Sequence, residues 1–367
     1  MSGVVQGIVT VVLFFGILGV LVLIHELGHF VVARLARVHV LEFGIGFPPR
    51  ARILRSTGDT LYTLNWLPIG GFVKLEGEDG DGKADPRSFS SKPLLTRLVI
   101  LVSGVVMNIA LAFAIFTGIF WLASPLTTVS FSVVQPDSPA ASAGIRPGES
   151  IVAINGKQFQ LLRDGEILVA LRQSAGQTIS LTVRSADGQP RDVSVTLRQA
   201  SEIDSNHGAL GIGNVVTQID GTTTNALPTA IGLALQHTTR WMGLIVGGLG
   251  DLVGQVAADP TAAPPIEGPI GIASRIGDVF FNAGPIMTLY IAGILSANLA
   301  VVNILPFPPL DGGRMLMITL KRIFGARISL RAEQLTYVVG FVFLFGFIIW
   351  VTGFDIARAF GAAPPTS

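Results

Sequence analysis

The stretch LVLIHELGHF, residues 21–30, ends an uncharged apolar run that begins near Gly3. At about 1.5 Å of rise per helical residue, this run can cross the hydrocarbon core of a bilayer, which is about 30 Å thick. Ionisable side chains in such a segment are rare and indicate a functional site. Two histidines and a glutamate at the inner end of the run therefore predict a polar site within a membrane helix.

The spacing of these three residues predicts a metal site. His25 and His29 are four residues apart, so on a helix both imidazoles share one face and can bind one ion. In zinc hydrolases, zinc lowers the pKa of its water to about 7, and a carboxylate that is not a ligand takes the proton. The alternative is two chance histidines near a membrane surface, which is a weak explanation in a chain with only five. We therefore expect Zn²⁺ as cofactor and Glu26 as the catalytic base.

Composition indicates an integral membrane protein. Hydrophobic residues make up 50% of the 367 residues and charged residues 13%, and the mean hydropathy is +0.61. A soluble zinc enzyme fits these values poorly. The net charge of +1 gives no indication of a nucleic-acid partner. The absence of cysteine excludes a thiolate nucleophile, cysteine-ligated zinc and disulfides.

Four stretches are apolar and long enough to be membrane helices, namely residues 4–24, 98–122, 286–305 and 335–351. Basic residues are frequent in the first and third connections, which predicts that both are cytoplasmic and both termini extracytoplasmic. They are Arg34, Arg37, Arg50, Arg52, Arg55, Lys74, Arg87 and Lys92, then Arg314, Lys321, Arg322, Arg327 and Arg331. Residues 1–127 and 285–367 would then form the two parts of a membrane domain.

The second connection is long enough to hold a folded extracytoplasmic domain. Residues 128–200 contain short alternating runs separated by turn signals, which predicts a small α+β module. Within it, SPAASAGIRPGESIVAINGKQF (138–159) resembles a PDZ domain. Such a domain binds an extended peptide at a strand edge, and a spacer without a ligand is the alternative. Residues 201–284 are predicted to be a linker and amphipathic helices, with a helix pair at 226–256 near the outer surface.

The first cytoplasmic connection contains a second β-favouring segment, TLYTLNWLPIGGFVK (60–74). It is too apolar for an ordinary solvated loop. We expect a membrane-associated β-hairpin, which protein must surround because free strand edges are not tolerated in lipid.

Catalytic zinc usually has three protein ligands, so the chain should supply one more. A third histidine six residues after His29 is absent, since that position is Leu35, and His39 and Glu42 fall beyond the membrane boundary. The better candidate is Asp311, in NILPFPPLDGGR (303–314), at the inner end of the third span and at the depth of His29. The prolines end the helix there, and two glycines allow a tight turn that can aim the carboxylate. A simple turn aspartate is the alternative.

HELGH in the first span and NxxPxxPLDGG in a later one, with a PDZ-like insert between them, resemble the site-2 protease family, in its bacterial regulator of sigma-E protease branch. GGFVK (70–74), SGVVMN (103–108) and GPIGI (268–272) also resemble that branch. The resemblance implies that His25, His29 and Asp311 bind zinc and that Glu26 is the base. It further implies that substrate contacts come from a separate set of residues, namely Asn303, Asn108, Gly70, Gly71, Phe72, Val73 and Lys74.

The same resemblance implies the partners and location. Such enzymes lie in the bacterial inner (cytoplasmic) membrane and cut single-span proteins within the lipid bilayer. Their substrates are anti-sigma factors or remnant signal peptides, which an upstream site-1-type protease has already trimmed. Enterobacterial members carry tandem PDZ domains, whereas this sequence shows one, so the control of substrate length can differ here.

Three other classes are weaker. GLGD (248–251) could belong to an intramembrane aspartyl protease, but no second aspartate is placed to pair with Asp251. Ser103 lacks the GxSG loop of a rhomboid-like serine protease. A non-catalytic membrane metal-binding or PDZ scaffold protein would not need Glu26 beside its ligands. His39, His207 and His237 are predicted to be surface residues.

Overall fold

The computed structural model describes residues 3–58, 60–78, 85–162, 167–185, 188–204, 207–259, 261–325 and 329–361. The chain forms two compact units. The larger contains Met1–Phe116 and Ala234–Ser367, and the smaller contains Thr117–Leu233.

Eight α-helices lie within the described residues. In chain order they are α1 (Gly3–Leu35), α2 (Leu94–Leu122), α3 (Pro139–Ser142), α4 (Ile167–Gln173), α5 (Leu227–Ala258), α6 (Pro269–Asn303), α7 (Asp311–Phe324) and α8 (Leu330–Ala359). Five of them, α1, α2, α5, α6 and α8, are long and apolar enough to cross a membrane, one more than the four predicted. Together with two β-sheets, these helices form a polytopic membrane protein.

The extra candidate, α5, corrects the expected helix pair at 226–256. It is one continuous helix, because its interior contains glycines but no proline to break it. His237 on this helix is buried, and not exposed as predicted, since it packs against Phe116 of α2 and Tyr290 of α6. Trp241 donates a 2.8 Å hydrogen bond to the Tyr290 hydroxyl from the next turn of α5.

Both ends of α5 are tied to chain segments at helix termini. Asn225, just before α5, donates to the Phe120 carbonyl oxygen near the end of α2. Near its other end, Gln255 donates to the carbonyl oxygen of Ala263. The neighbouring Pro264 carbonyl in turn accepts a hydrogen bond from Arg358, near the end of α8.

Helix α6 begins where α8 ends. Asp355 is buried on α8, and its carboxylate accepts the N–H groups of Gly268 and Gly271 at 3.1 and 2.8 Å. These are N–H groups that no residue within α6 can satisfy, so a carboxylate from another helix stabilises the start of α6. Pro285 follows Gly284, whose φ of +82° bends α6 partway along. The third predicted span, 286–305, corresponds to the part of α6 after this bend.

Helices α1, α2 and α6 pack closely through small residues. A Cβ at Gly28 of α1 would lie 2.5 Å from the Ser103 carbonyl oxygen of α2. A Cβ at Gly277 of α6 would lie 2.2 Å from the Thr10 hydroxyl of α1. Between α6 and α2, Ser296 donates a 2.8 Å hydrogen bond to the Asn108 backbone carbonyl. Small residues allow such approaches in membrane helices, where packing rather than water exclusion drives association.

A two-stranded sheet, β1 (Val40–Thr57) and β2 (Thr60–Leu75), follows α1. The hairpin is longer than predicted, because residues 60–74 pair with the preceding strand and not with themselves. Residues 42–45 pair both with 71–74 and with 61–64, so residues 71–75 form an outer strand. Gly70, at φ +73°, places β2 against Val22 of α1, where a Cβ would lie 2.6 Å away.

The smaller unit contains a six-stranded sheet in the order β7-β6-β4-β5-β3-β8. The strands are β3 (Ser124–Val134), β4 (Ser150–Ile154), β5 (Lys157–Gln160), β6 (Thr178–Arg184), β7 (Pro190–Thr196) and β8 (Ile212–Thr223). Strand β8 lies in the stretch predicted to be a linker, which is a correction. Val215 and Ile212 pack on the unit's apolar core and explain why this Gly/Thr-rich segment is ordered as a strand.

Candidate metal centre

Three potential ligands from distant parts of the chain lie together. His25 Nε2 lies 2.9 Å from Asp311 Oδ2, and His29 Nε2 lies 3.2 Å from the same oxygen. The two Nε2 atoms are 3.2 Å apart. Among the described residues, this is the group of histidine and acidic side chains whose donor atoms could hold one metal ion.

The arrangement fits tetrahedral zinc. Ligand bonds of about 2.0–2.1 Å at tetrahedral angles place donor atoms about 3.4 Å apart. The observed separations of 2.9–3.2 Å are within a few tenths of an ångström of this value. Two imidazoles and one carboxylate also match the ligands of catalytic zinc, with the fourth position available for water.

Both histidines are held by hydrogen bonds on their far nitrogens. His29 Nδ1 donates to the Ile100 carbonyl oxygen of α2 at 2.8 Å. His25 Nδ1 lies 3.1 Å from the side-chain amide nitrogen of Asn108. Contacts of this kind orient metal-binding imidazoles and fix which nitrogen faces the ion.

Gly104 of α2 makes room for the imidazoles. A Cβ at this position would lie 2.5 Å from His29 Nε2 and 2.7 Å from His25 Nε2. No side chain can occupy that space without displacing the donor atoms. This explains the glycine in SGVVMN physically, which the sequence alone did not.

Asp311 reaches the histidines from the first residue of α7. Gly312 and Gly313 follow it in a tight approach to the preceding loop, where a Cβ at Gly312 would lie 2.2 Å from the Ile304 carbonyl oxygen. Burial alone raises the pKa of the Asp311 carboxyl, but hydrogen bonds from His25 and His29 and their charge hold this pKa below its usual value. The ionised form favoured here is the form that binds a cation.

Glu26 contacts the outer strand of the sheet. Its carboxylate accepts a 3.1 Å hydrogen bond from the Val73 N–H of β2. Val73 pairs with Phe43 on its other side. The candidate base and the predicted substrate-binding strand are therefore in direct contact.

Sequence reasoning missed a partly buried ion pair beside the centre. Arg314, one turn after Asp311, bonds Glu78, whose other oxygen accepts the Leu75 N–H at the end of β2. The pair ties α7 to β2. Arg314 stood within the quoted DGGR motif, but nothing in the sequence identified Glu78 as its partner.

Only some of the predicted substrate-contact residues lie beside α1 and the three-residue cluster. Gly70 of β2 lies against Val22 of α1, and the Val73 N–H bonds Glu26 of α1. Asn303 is half-buried as the last residue of α6. Asn108 is fully buried behind His25. It therefore lies beside a predicted ligand, away from any exposed surface.

The other residues considered as ligands or catalytic groups lie outside the three-residue cluster. His39 pairs with Glu76, and Glu42 pairs with Arg50. Asp251 is exposed on α5, and the Ser103 hydroxyl donates to the Ile100 carbonyl oxygen at 2.6 Å. His207 is exposed in the smaller unit. None of these residues belongs to the three-residue cluster.

Comparison with known proteins decides the family. The model of peptidase family M50 matches residues 13–347, nearly the whole chain. The chain belongs to peptidase family M50.

Related proteins align with almost the full length of this chain. A zinc metalloprotease of Clostridium acetobutylicum is 32% identical over 92% of this chain and 94% of its own. One from Clostridium perfringens is 31% identical over 92% of this chain and 95% of its own. Zinc metalloprotease RasP of Geobacillus kaustophilus is 26% identical over 97% of this chain and all of its own. The predicted enzyme class, a zinc metalloprotease of the site-2 family with Zn²⁺ as cofactor, is confirmed.

Proposed function

We propose that this M50 member cleaves peptide bonds within the transmembrane segments of single-span proteins whose outer part an upstream protease has removed. Anti-sigma factors and remnant signal peptides are the expected substrates. The observation that carries the proposal is that all three cluster residues lie on or directly beside membrane-type helices, His25 and His29 on α1 and Asp311 after α6. A site built there acts on bonds at membrane depth.

In this assignment His25, His29 and Asp311 hold the zinc ion. Bound zinc supplies an activated water and polarises the scissile carbonyl. Glu26 takes the proton of the attacking water and later delivers it to the leaving amine. The 3.1 Å hydrogen bond that Glu26 accepts from the Val73 N–H keeps this carboxylate next to the strand where substrate is expected.

A helical substrate must unwind before its carbonyl can be attacked, because its backbone groups are hydrogen-bonded internally. The outer strand of β2, residues 71–75, includes most of the predicted substrate-contact segment and offers an edge on which the unwound segment can pair. Gly70 and Gly71 carry no side chain that would hinder this approach. Asn303, at the end of α6, is the polar residue assigned to hold the extended substrate.

The location follows from the same proposal. We assign the protein to the bacterial inner membrane, with the metal centre near the cytoplasmic face and the PDZ-like smaller unit extracytoplasmic. The basic first and third connections support this orientation. No cluster residue comes from the smaller unit, so we assign it to substrate selection and not to the chemistry.

The test is metal analysis of the purified protein combined with cleavage of a trimmed single-span substrate in detergent or liposomes. Glu26→Gln should retain zinc and lose at least the 10²- to 10⁴-fold typical of a general base. Substrate analysis by mass spectrometry should place the cut within the apolar segment. Near wild-type cleavage by Glu26→Gln would remove Glu26 as the base, and a cut only outside the apolar segment would contradict intramembrane cleavage.

A further inference from the structure

Asn108 of α2 has an unusual environment. Its side chain is fully buried, and its amide nitrogen lies 3.1 Å from His25 Nδ1. Its side-chain oxygen, Oδ1, is also buried but has no hydrogen-bond partner among the described residues. Buried polar atoms are nearly always paired, so this oxygen requires an explanation.

The chemistry of His25 supplies one. Its Nε2 faces Asp311 and His29, so Nε2 is the nitrogen that can bind a metal ion. A neutral imidazole that binds metal through Nε2 carries its proton on Nδ1. An Nδ1–H needs an acceptor, whereas the amide nitrogen of Asn108 is a donor. Two donors would then face each other across 3.1 Å.

His29 shows what the zinc-loaded arrangement requires. Its Nδ1 lies 2.8 Å from the Ile100 carbonyl oxygen, an atom that can only accept. The Nδ1 proton is therefore fixed, and Nε2 is left with its lone pair toward the cluster. His25 lies one turn away on the same helix and needs an equivalent acceptor.

We propose that Asn108 is a positioning residue of the metal centre and that its Oδ1 accepts the Nδ1–H of His25 when zinc is bound. A half-turn of the carboxamide about its last bond exchanges oxygen and nitrogen at nearly the same positions, so no helix has to move. The side-chain oxygen then accepts the His25 N–H, and the amide nitrogen takes the former position of the oxygen. This inference rests on the assignment of His25 as a zinc ligand.

The surroundings make Asn108 suitable for this role. Ser296 of α6 donates to its backbone carbonyl at 2.8 Å and fixes α2 against α6 at this position. Gly104, one turn earlier on α2, leaves the space in which the imidazoles lie. An acceptor held so rigidly sets both the ring orientation and the tautomer of His25. This role differs from the substrate contact that the sequence resemblance implied for Asn108.

The experiment compares two substitutions in the full-length protein. Asn108→Asp can only accept a hydrogen bond at the side-chain end, whereas Asn108→Leu has a similar shape and can neither donate nor accept. Zinc content is measured over time in a fixed concentration of chelator. Folding is checked by size-exclusion chromatography and thermal melting. Asn298→Leu, the same replacement on α6, is the matched control for removing a polar amide from a membrane helix.

Asn108→Asp should retain zinc at least as long as the wild type, while Asn108→Leu should bind it 10- to 100-fold more weakly, the usual effect of losing a hydrogen bond to a metal ligand. The control should match the wild type. Faster zinc loss from a folded Asn108→Asp protein would overturn the proposal, since an acceptor would then be the wrong group. Wild-type retention by Asn108→Leu would overturn it as well.

Asn108→Asp still tests the proposal if Asn108→Leu does not fold, because faster zinc loss from a folded Asn108→Asp protein would overturn it. The wild-type measurement separates this inference from the proposed function. Absence of zinc from the wild type would remove the metal centre itself. Stable zinc in the wild type, together with loss from Asn108→Asp, would remove only the role of Asn108.

Discussion

Replacing Gly104 by alanine tests whether the space beside the imidazoles is needed. The new Cβ would lie 2.5 Å from His29 Nε2, while a tolerable contact needs about 3.4 Å, so the ring or the helix must shift by about 0.9 Å. Zinc sites tolerate about 0.2 Å in ligand distance. We therefore expect at least tenfold weaker zinc binding, with a matching loss of cleavage.

Intrinsic helix preference acts in the opposite direction. Alanine favours a helix over glycine by about 1 kcal/mol, so Gly104→Ala would be neutral or stabilising if the space were not used. Gly118→Ala on the same helix is the control, because no atom lies within 4 Å of a Cβ there. Zinc retention in chelator and cleavage of a single-span substrate are measured for both variants. A folded Gly104→Ala protein with wild-type zinc retention would refute the reasoning.

Three further outcomes are expected. Asp311→Asn should weaken zinc binding and activity together, because a neutral amide is a poorer ligand; equal zinc content after the same chelator treatment would exclude Asp311 as a ligand. Asp355→Leu should lower stability by about 3 kcal/mol, seen as a lower melting temperature, because it leaves the N–H groups of Gly268 and Gly271 and the Arg358 guanidinium without their buried carboxylate. Burial raises the pKa of Glu149, but hydrogen bonds from the Arg146 N–H, Arg191 and Ser185 bring it below its ordinary value. The contribution of Glu149 to stability is therefore present above its ordinary pKa and lost as the pH falls through the lowered pKa. The protection of the smaller unit's amides against hydrogen exchange, measured relative to the unfolded chain at the same pH, should therefore fall in acid, and Glu149→Gln should flatten this dependence. An unchanged protection profile in the variant would contradict it.

The sequence singled out His25, His29 and Asp311, which the structure brings together, because the information that identifies them is local. His25 and His29 are fixed by helical spacing, and the prolines and glycines around Asp311 mark a turn at the end of an apolar segment. Because apolar runs contain few polar residues, and helix periodicity limits which of them share a face, few other residues were candidates for metal ligands.

Contacts between distant segments could not be predicted in this way. The Arg314–Glu78 pair and the bond between Asp355 and the start of α6 depend on which helices are neighbours. Strand β8 was missed because its Gly- and Thr-rich sequence is typical of a loop, and pairing with β3 is what orders it. His237 was placed on the surface because its burial depends on Tyr290, more than fifty residues away.

The attachment of α5 has a consequence for topology. Gln255, in the last turns of α5, bonds the Ala263 carbonyl, and Arg358 near the end of α8 bonds the neighbouring Pro264 carbonyl, just before α6 begins. His237 of α5 packs on Phe116 of α2, six residues before α2 ends. We therefore expect α5 to return to the side of the membrane from which it starts and to add no crossing. A single crossing between α1 and α6, made by α2, lets these helices run in the same direction, as the Thr10–Gly277 contact near both starts also indicates. A fifth crossing would reverse α6 and carry Asp311 to the opposite face of the bilayer from His29. Counting all five apolar helices as crossings would therefore separate Asp311 from His29, whereas an odd number of crossings between α1 and α6 lets the two halves of the chain bring His25, His29 and Asp311 together.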